Sequence, residues 1–208
     1  MVARRERHPL SGRLIVVGGQ CRKVGKTTLI VDIIKATPGI RWTALKITPH
    51  AELVCPVNGS DCKCGPTEHT FSIREEVDRS GRTGTSRYLL AGAQRSLWVQ
   101  TKDNCIQDVL GPLAKMLDGS QYVIVESDAL VRFWQPRLFL MVLDSQKADF
   151  KASAREVMPL ADAFVFRSPC PDPANPSLVG EGRPSFLQPM GQPLPSELQA
   201  FVMHPFVP

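Results

Sequence analysis

A chain of 208 residues is about the size of one domain that can bury its own core without disulfide or metal staples. Hydrophobic residues make up 43% and charged residues 22%, which excludes a wholly disordered or collagen-like chain. Lys and Arg exceed Asp and Glu by 25 to 20, and the resulting net charge of +5 suits an anionic ligand but is too small and scattered to indicate nucleic acid.

Residues 1–12 are expected to be a solvated tail carrying Arg4, Arg5 and Arg7. They include no apolar stretch of the kind a secretory signal needs, and no apolar run in the chain approaches bilayer length. A cytoplasmic protein with no membrane contact is therefore expected, with Cys21, Cys55, Cys62, Cys64, Cys105 and Cys170 kept reduced.

Residues 14–17 predict a buried strand that runs into Gly18 and Gly19, and residues 26–35 predict a helix with Leu29, Ile30, Ile33 and Ile34 at helical spacing. Residues 42–48 predict a second strand. Residues 49–70 then lose all periodicity. A short strand is expected over 71–76, a glycine-rich loop over 79–86 and a helix over 88–94. Strands over 96–101, 122–125, 138–143 and 163–166 alternate with helices over 106–117 and 150–158. That alternation predicts an α/β domain over 13–167, with a mainly parallel sheet covered by helices on both faces. Beyond it, ten of the chain's eighteen prolines fall in residues 169–208, a density that argues against helix or central strand. Phe186, Leu194, Leu198, Phe201 and Val202 are nonetheless apolar, so 168–208 is expected to be an extended arm on the domain or on a neighbouring subunit, or a free tail.

The most informative stretch is Gly19, Gln20, Cys21, Arg22, Lys23, Val24, Gly25, Lys26, Thr27 and Thr28, set between the first strand and the first helix. A phosphate chain needs converging backbone N–H groups, the positive end of a helix, a lysine for its β/γ-oxygens and a hydroxyl for Mg²⁺. The segment offers each of these. It therefore predicts a P-loop and the three-layer P-loop NTPase sandwich, with Lys26 neutralising phosphate and Thr27 binding Mg²⁺. Cys21 either fills loop space or is a reactive thiol. Glu126, at the carboxyl end of the strand over 122–125, is expected to hold Mg²⁺ or its waters, or to orient an attacking water, with Asp128 a weaker substitute. Lys46 ends the second strand, where open α/β sheets present ligand-binding groups.

Gly19 and Gly25 are separated by five residues rather than the usual four. That longer loop resembles the one in dethiobiotin synthetase and the cobyrinic acid amide synthases. Lys46-Ile47-Thr48-Pro49-His50, the run from Asp78 to Arg87, Ala91-Gly92-Ala93 and Val123-Ile124-Val125-Glu126 resemble, in order, segments of the molybdopterin-guanine dinucleotide biosynthesis protein B (MobB) family. Ser127 stands where that family has glycine, Gly84 where it has aspartate, and residues 51–77 are largely extra. The resemblance implies a GTP-binding homodimer with slow hydrolysis that assists molybdenum-cofactor maturation beside a partner protein of that route. Residues 161–168 lack the Asn/Thr-Lys-x-Asp signature of many GTPases, so the residues themselves leave ATP and GTP both open. An ATP-dependent synthetase that phosphorylates a carboxylate is the enzymatic alternative.

Cys55, Cys62 and Cys64, flanked by His50 and His69, bring thiolate and imidazole ligands together within twenty residues. Three cysteines plus one histidine could close a Zn²⁺ or Fe–S site, although the spacing matches no standard zinc knuckle. A polar loop with incidental thiols is the alternative. If the insert binds metal, a nucleotide-gated metal carrier becomes a third functional reading.

Overall fold

The first apolar run forms β1 (Leu14–Gly19), buried at every residue. A strand of that kind needs cover on both faces, and the rest of the chain supplies it. The computed structural model describes residues 9–49, 70–102, 105–169 and 182–204. Within them α1 (Lys26–Ala36), β2 (Trp42–Pro49), β3 (Phe71–Glu75), α2 (Gly84–Ala91), β4 (Arg95–Thr101), α3 (Ile106–Met116) and β5 (Tyr122–Glu126) follow in turn. They are succeeded by β6 (Leu138–Leu143), α4 (Ala152–Val157), β7 (Ala163–Phe166), β8 (Ser185–Leu187) and α5 (Ser196–Met203).

The strands form one sheet in the order β3-β4-β2-β5-β1-β6-β7-β8. Neighbours are parallel except for β3, which runs antiparallel to β4 at one edge. Alternate side chains of each strand go to opposite faces. Val16, Leu45, Leu97, Val125 and Phe139 pack with Val109 and Leu113 of α3 and Val157 of α4. Ile15, Val17, Ala44, Ile124 and Val142 pack with Leu29, Ile30 and Ile33 of α1, Tyr88 of α2, and Leu198 and Val202 of α5. The result is the expected three-layer α/β arrangement. Among the described residues, no helix is long and apolar enough to cross a membrane.

Three elements depart from the sequence expectation. α2 begins at Gly84, inside the expected loop, because Thr83 caps it. Ser86 N–H donates to Thr83 Oγ1 at 3.0 Å and Thr83 N–H to Ser86 Oγ at 2.9 Å. This capping box uses serine where glutamate or glutamine is the usual signal. The helix over 150–158 shortens to Ala152–Val157, and a 3-10 turn carries the chain through Met158–Leu160, where Pro159 has no N–H to extend it.

The third departure is in the described part of the proline-rich segment, residues 182–204, which contains both a strand and a helix where an extended arm or a free tail was expected. β8 lies at the sheet edge between Pro184 and Pro189, where missing donors matter least. The run Ser196–Met203 contains no proline, and Pro195 precedes it at the N-cap, so density averaged over forty residues concealed a helix-sized gap.

Candidate functional site

β1 delivers the chain to the loop, and the loop closes on itself at Gly19. A Cβ there would lie 2.7 Å from Val24 Cγ1 and 2.9 Å from Lys26 Cγ, so any larger residue would push the loop open. Two residues within it take the left-handed conformation: Lys23, with φ of 57°, and Gly25, with φ of 100°. Glycine adopts that region freely, whereas a lysine does so at some cost. The Gly25 carbonyl accepts the first intrahelical bond, from Leu29 N–H at 2.9 Å. The amides of Lys26, Thr27 and Thr28 therefore lie ahead of the helical ladder, at its positive end.

Lys26 folds back into the loop, where its Nζ donates to the Cys21 carbonyl at 3.0 Å. Burial pushes its pKa below the ordinary lysine value, against the opposing pull of Asp128 and Glu126. Cys21 and Val24 are buried in the core beneath the loop, so Cys21 fills space, while Arg22 and Lys23 are exposed. Gln20 is buried and staples the next loop to this one. Its Nε2 donates to the carbonyls of Lys147 at 2.7 Å and Asp149 at 3.0 Å, and its Oε1 accepts from Asp144 N–H at 2.9 Å.

Beside the loop, sheet register assembles a second group of side chains. β5 lies between β1 and β2, which sets Glu126 opposite both Val17 and Lys46. Lys46 Nζ donates to Glu126 Oε1 at 3.0 Å and lies 3.4 Å from Thr27 Oγ1. Thr27 Oγ1 donates to Glu126 Oε2 at 2.5 Å. Tyr88, brought in by α2, donates its hydroxyl to the same Oε2 at 2.6 Å. Burial pushes the Glu126 carboxyl up, but Lys46, Thr27 and Tyr88 outweigh it and hold the pKa below the ordinary value. Glu126 is therefore a buried carboxylate that keeps its charge.

The structure thus brings together Lys26, Thr27, Lys46 and Glu126 and lines Gly19 to Thr28 around them. Asp128 lies on the other flank, accepting the Gly19 amide at 2.7 Å, with Lys151 Nζ 3.9 Å from its second oxygen. His50, Cys55, Cys62, Cys64 and His69 lie outside the described residues, and among the described residues no group of three or more His, Cys, Asp or Glu side chains could hold a metal.

Sequence reasoning missed Tyr88, Arg87 and Arg167. Arg87 donates to Thr28 Oγ1 at 3.3 Å. Arg167, buried at the end of β7, donates to the Gly25 carbonyl at 2.6 Å and to Gln188 Oε1 at 2.6 Å, which ties the segment after β8 to the loop. Arg87 ends the run from Asp78 that resembles a MobB segment, but nothing there gives it a role, and no spacing signal marks Tyr88 or Arg167, because each reaches the site across the fold.

No protein-family model matches the chain, and no curated protein sequence matches it significantly. Among solved structures it is similar to LpxK from Aquifex aeolicus in complex with ATP, at 17% identity and a TM-score of 0.47 over 88% of this chain. The chain spans only 55% of the length of that protein. It is also similar to HypB from Helicobacter pylori in complex with nickel, at 13% identity and a TM-score of 0.50, over 93% of this chain and 87% of that one. The parallel sheet with helices on both faces, the glycine loop between β1 and α1, and the likeness to HypB together identify the fold as the three-layer α/β sandwich of the P-loop NTPases.

Proposed function

We propose that residues 19–28 bind the phosphate chain of a nucleoside triphosphate together with Mg²⁺. The observation that carries this reading is the position of Lys26, a partly buried ammonium turned into its own loop and bonded to the Cys21 carbonyl at 3.0 Å. A cation desolvated at a helix N-terminus is stabilised by an anion far more than by one neutral carbonyl. The Thr27 hydroxyl and Glu126 carboxylate are hard oxygen donors of the kind Mg²⁺ takes, directly or through its waters. Thr27 and Glu126 would hold Mg²⁺, which would supply positive charge to offset that of the phosphate oxygens.

The chain's own residues then divide the work. The loop amides hold phosphate oxygens in place, Lys26 offsets their negative charge, and Lys46 keeps the Glu126 carboxylate ionised and turned toward Thr27. Glu126 Oε1 accepts from Lys46 and keeps a lone pair with which to orient a water. Turnover in this scheme is phosphoryl transfer by positioning and charge stabilisation, without a covalent nucleophile on the chain.

The order of the segments that resemble those of the MobB family supports a narrower reading: a GTP-binding cytoplasmic homodimer with slow hydrolysis, assisting molybdenum-cofactor maturation with a partner protein. ATP-dependent activation of a carboxylate remains the competing chemistry, distinguished by turnover that rises when the acceptor is added. The run from His50 to His69 favours a further role, with Cys55, Cys62, Cys64 and one histidine holding Zn²⁺ or an Fe–S cluster, as a nucleotide-gated carrier would need.

Titrating ATP and GTP, each with and without Mg²⁺, into the wild type and Lys26→Ala tests the central claim. Wild type is expected to bind at least one nucleotide with Mg²⁺, and the variant to lose that binding while still unfolding cooperatively. Equal affinity in the two proteins would refute the assignment of the loop.

A further inference from the structure

The hydrogen bonds to Glu126 are unevenly shared. Oε1 accepts from Lys46, whereas Oε2 accepts from both Thr27, at 2.5 Å, and Tyr88, at 2.6 Å. Tyr88 is fully buried, and its ring belongs to the apolar cluster under α1. Filling that cluster would need only a phenylalanine. A buried phenol requires a partner for its hydroxyl, and here the partner is the carboxylate oxygen that also holds Thr27.

The position of Tyr88 is closely fixed. Thr83 and Ser86 cap the start of α2. Glu76 accepts from Thr85 Oγ1 at 2.7 Å and from Thr83 Oγ1 at 3.1 Å, and Ser96 Oγ donates to the Thr85 carbonyl at 3.0 Å. At the far end Gly92 turns left-handed, and Ala93 N–H donates to the Tyr88 carbonyl at 3.0 Å. Both ends of the helix are therefore tied before its side chains reach the site.

A threonine hydroxyl has one proton and two lone pairs. With the proton committed to Glu126 and Lys46 Nζ donating to the threonine oxygen at 3.4 Å, one lone pair of Thr27 is left facing away from the carboxylate. We infer that Tyr88 is a positioning residue for the divalent cation: by holding Glu126 Oε2 it makes Thr27 present its remaining lone pair, rather than its proton, to the ion. In this role Tyr88 acts through Glu126, to which its hydroxyl donates, and not as a ligand itself. This inference rests on the nucleotide reading above, and it assigns α2 a part in metal affinity that the loop residues alone do not supply.

Tyr88→Phe removes one hydroxyl and keeps the ring. The test measures nucleotide affinity without Mg²⁺, and then the Mg²⁺ concentration that half-saturates the nucleotide-loaded protein. Losing a partner that orients a metal ligand typically weakens metal affinity by roughly tenfold to a hundredfold. The half-saturating Mg²⁺ concentration is expected to rise by that factor, while Mg²⁺-free nucleotide affinity stays within about twofold. An unchanged Mg²⁺ requirement would overturn the inference and leave the nucleotide reading intact. A wild type that binds no nucleotide under any condition would instead remove the nucleotide reading.

A second measurement needs no substitution at Tyr88. The chain has two tyrosines, and Tyr122 sits at the opposite end of β5 with its ring centroid 5.8 Å from that of Trp42. With 3-fluorotyrosine incorporated and Tyr122→Phe used for assignment, adding Mg²⁺ to the nucleotide-loaded protein is expected to shift the Tyr88 fluorine resonance and leave that of Tyr122 in place. A Tyr88 resonance that does not move would overturn the inference even if Tyr88→Phe failed to fold.

Discussion

Replacing Lys46 with Met tests whether β2, β5 and the start of α1 share one electrostatic centre. The ammonium lies 3.0 Å from Glu126 Oε1, with the two side chains 29% and 8% exposed. At an effective dielectric of about 20, that separation is worth roughly 5 kcal/mol of attraction before desolvation is subtracted. Removing one partner of a fully buried pair costs about 3–5 kcal/mol, because the other charge is left stranded. Water reaches the partly exposed Lys46, so the expected loss is smaller, about 2 kcal/mol. For a chain of this length that lowers Tm by roughly 4–8 °C at neutral pH.

The sign of the pH dependence follows from Glu126. Its carboxyl is held below the ordinary range in the fold, so its contribution to stability is fully present above the unfolded pKa and is lost as pH falls through the folded value. The variant lacks most of that contribution, so its deficit should be largest at neutral pH and close as acid protonates Glu126. Thermal melts followed by circular dichroism at pH 7 and at steps into the acid range check both points. Equal melting at neutral pH, or a deficit that stays constant into acid, would refute the reasoning.

Two further predictions concern the loop and the cysteine run. Gly25→Ala should lower stability by about 2–4 kcal/mol, because left-handed backbone strains an alanine by roughly 1–2 kcal/mol and its Cβ would lie 2.7 Å from Arg167 Nε. Gly39→Ala is the control, since a Cβ there meets nothing within 4 Å; denaturant titrations that fail to separate the two variants would contradict the geometry. Cys62→Ser combined with Cys64→Ser should leave nucleotide affinity within about twofold while abolishing the zinc or iron carried by protein purified without chelator. A wild type with less than about one ion per few chains would end the metal reading.

The order of elements was legible in the sequence because the strands are short apolar runs separated by glycine, proline and polar breaks. Residues 138–143 and 163–166 match β6 and β7 at both ends, since each is apolar throughout and flanked by polar positions. α2 was legible only in part. Its cap depends on Ser86 returning a bond to Thr83, and a serine three residues after a threonine carries little signal on its own. The antiparallel direction of β3 was not legible either, because strand direction is decided by long-range pairing that local composition does not record.

The site separates along the same line. The loop from Gly19 to Thr28 is contiguous, so its chemistry could be read as spacing, but the arrangement around Glu126 depends on parity across three strands. Ile124 and Ala44 face α1 and α2, and Glu126 and Lys46, two residues further along their strands, face the same way. Val125, one residue earlier, faces α3 and the opposite core. A shift of one residue in the pairing of β5 would carry the carboxylate through the sheet, away from Thr27 and Tyr88. The apolar residues of β5 resist that shift, since it would also exchange Val123 and Val125 with Ile124 between two packed cores. The buried valines and isoleucine of this strand therefore set the direction of the one carboxylate at its end, and the core determines whether Glu126 can act on the loop.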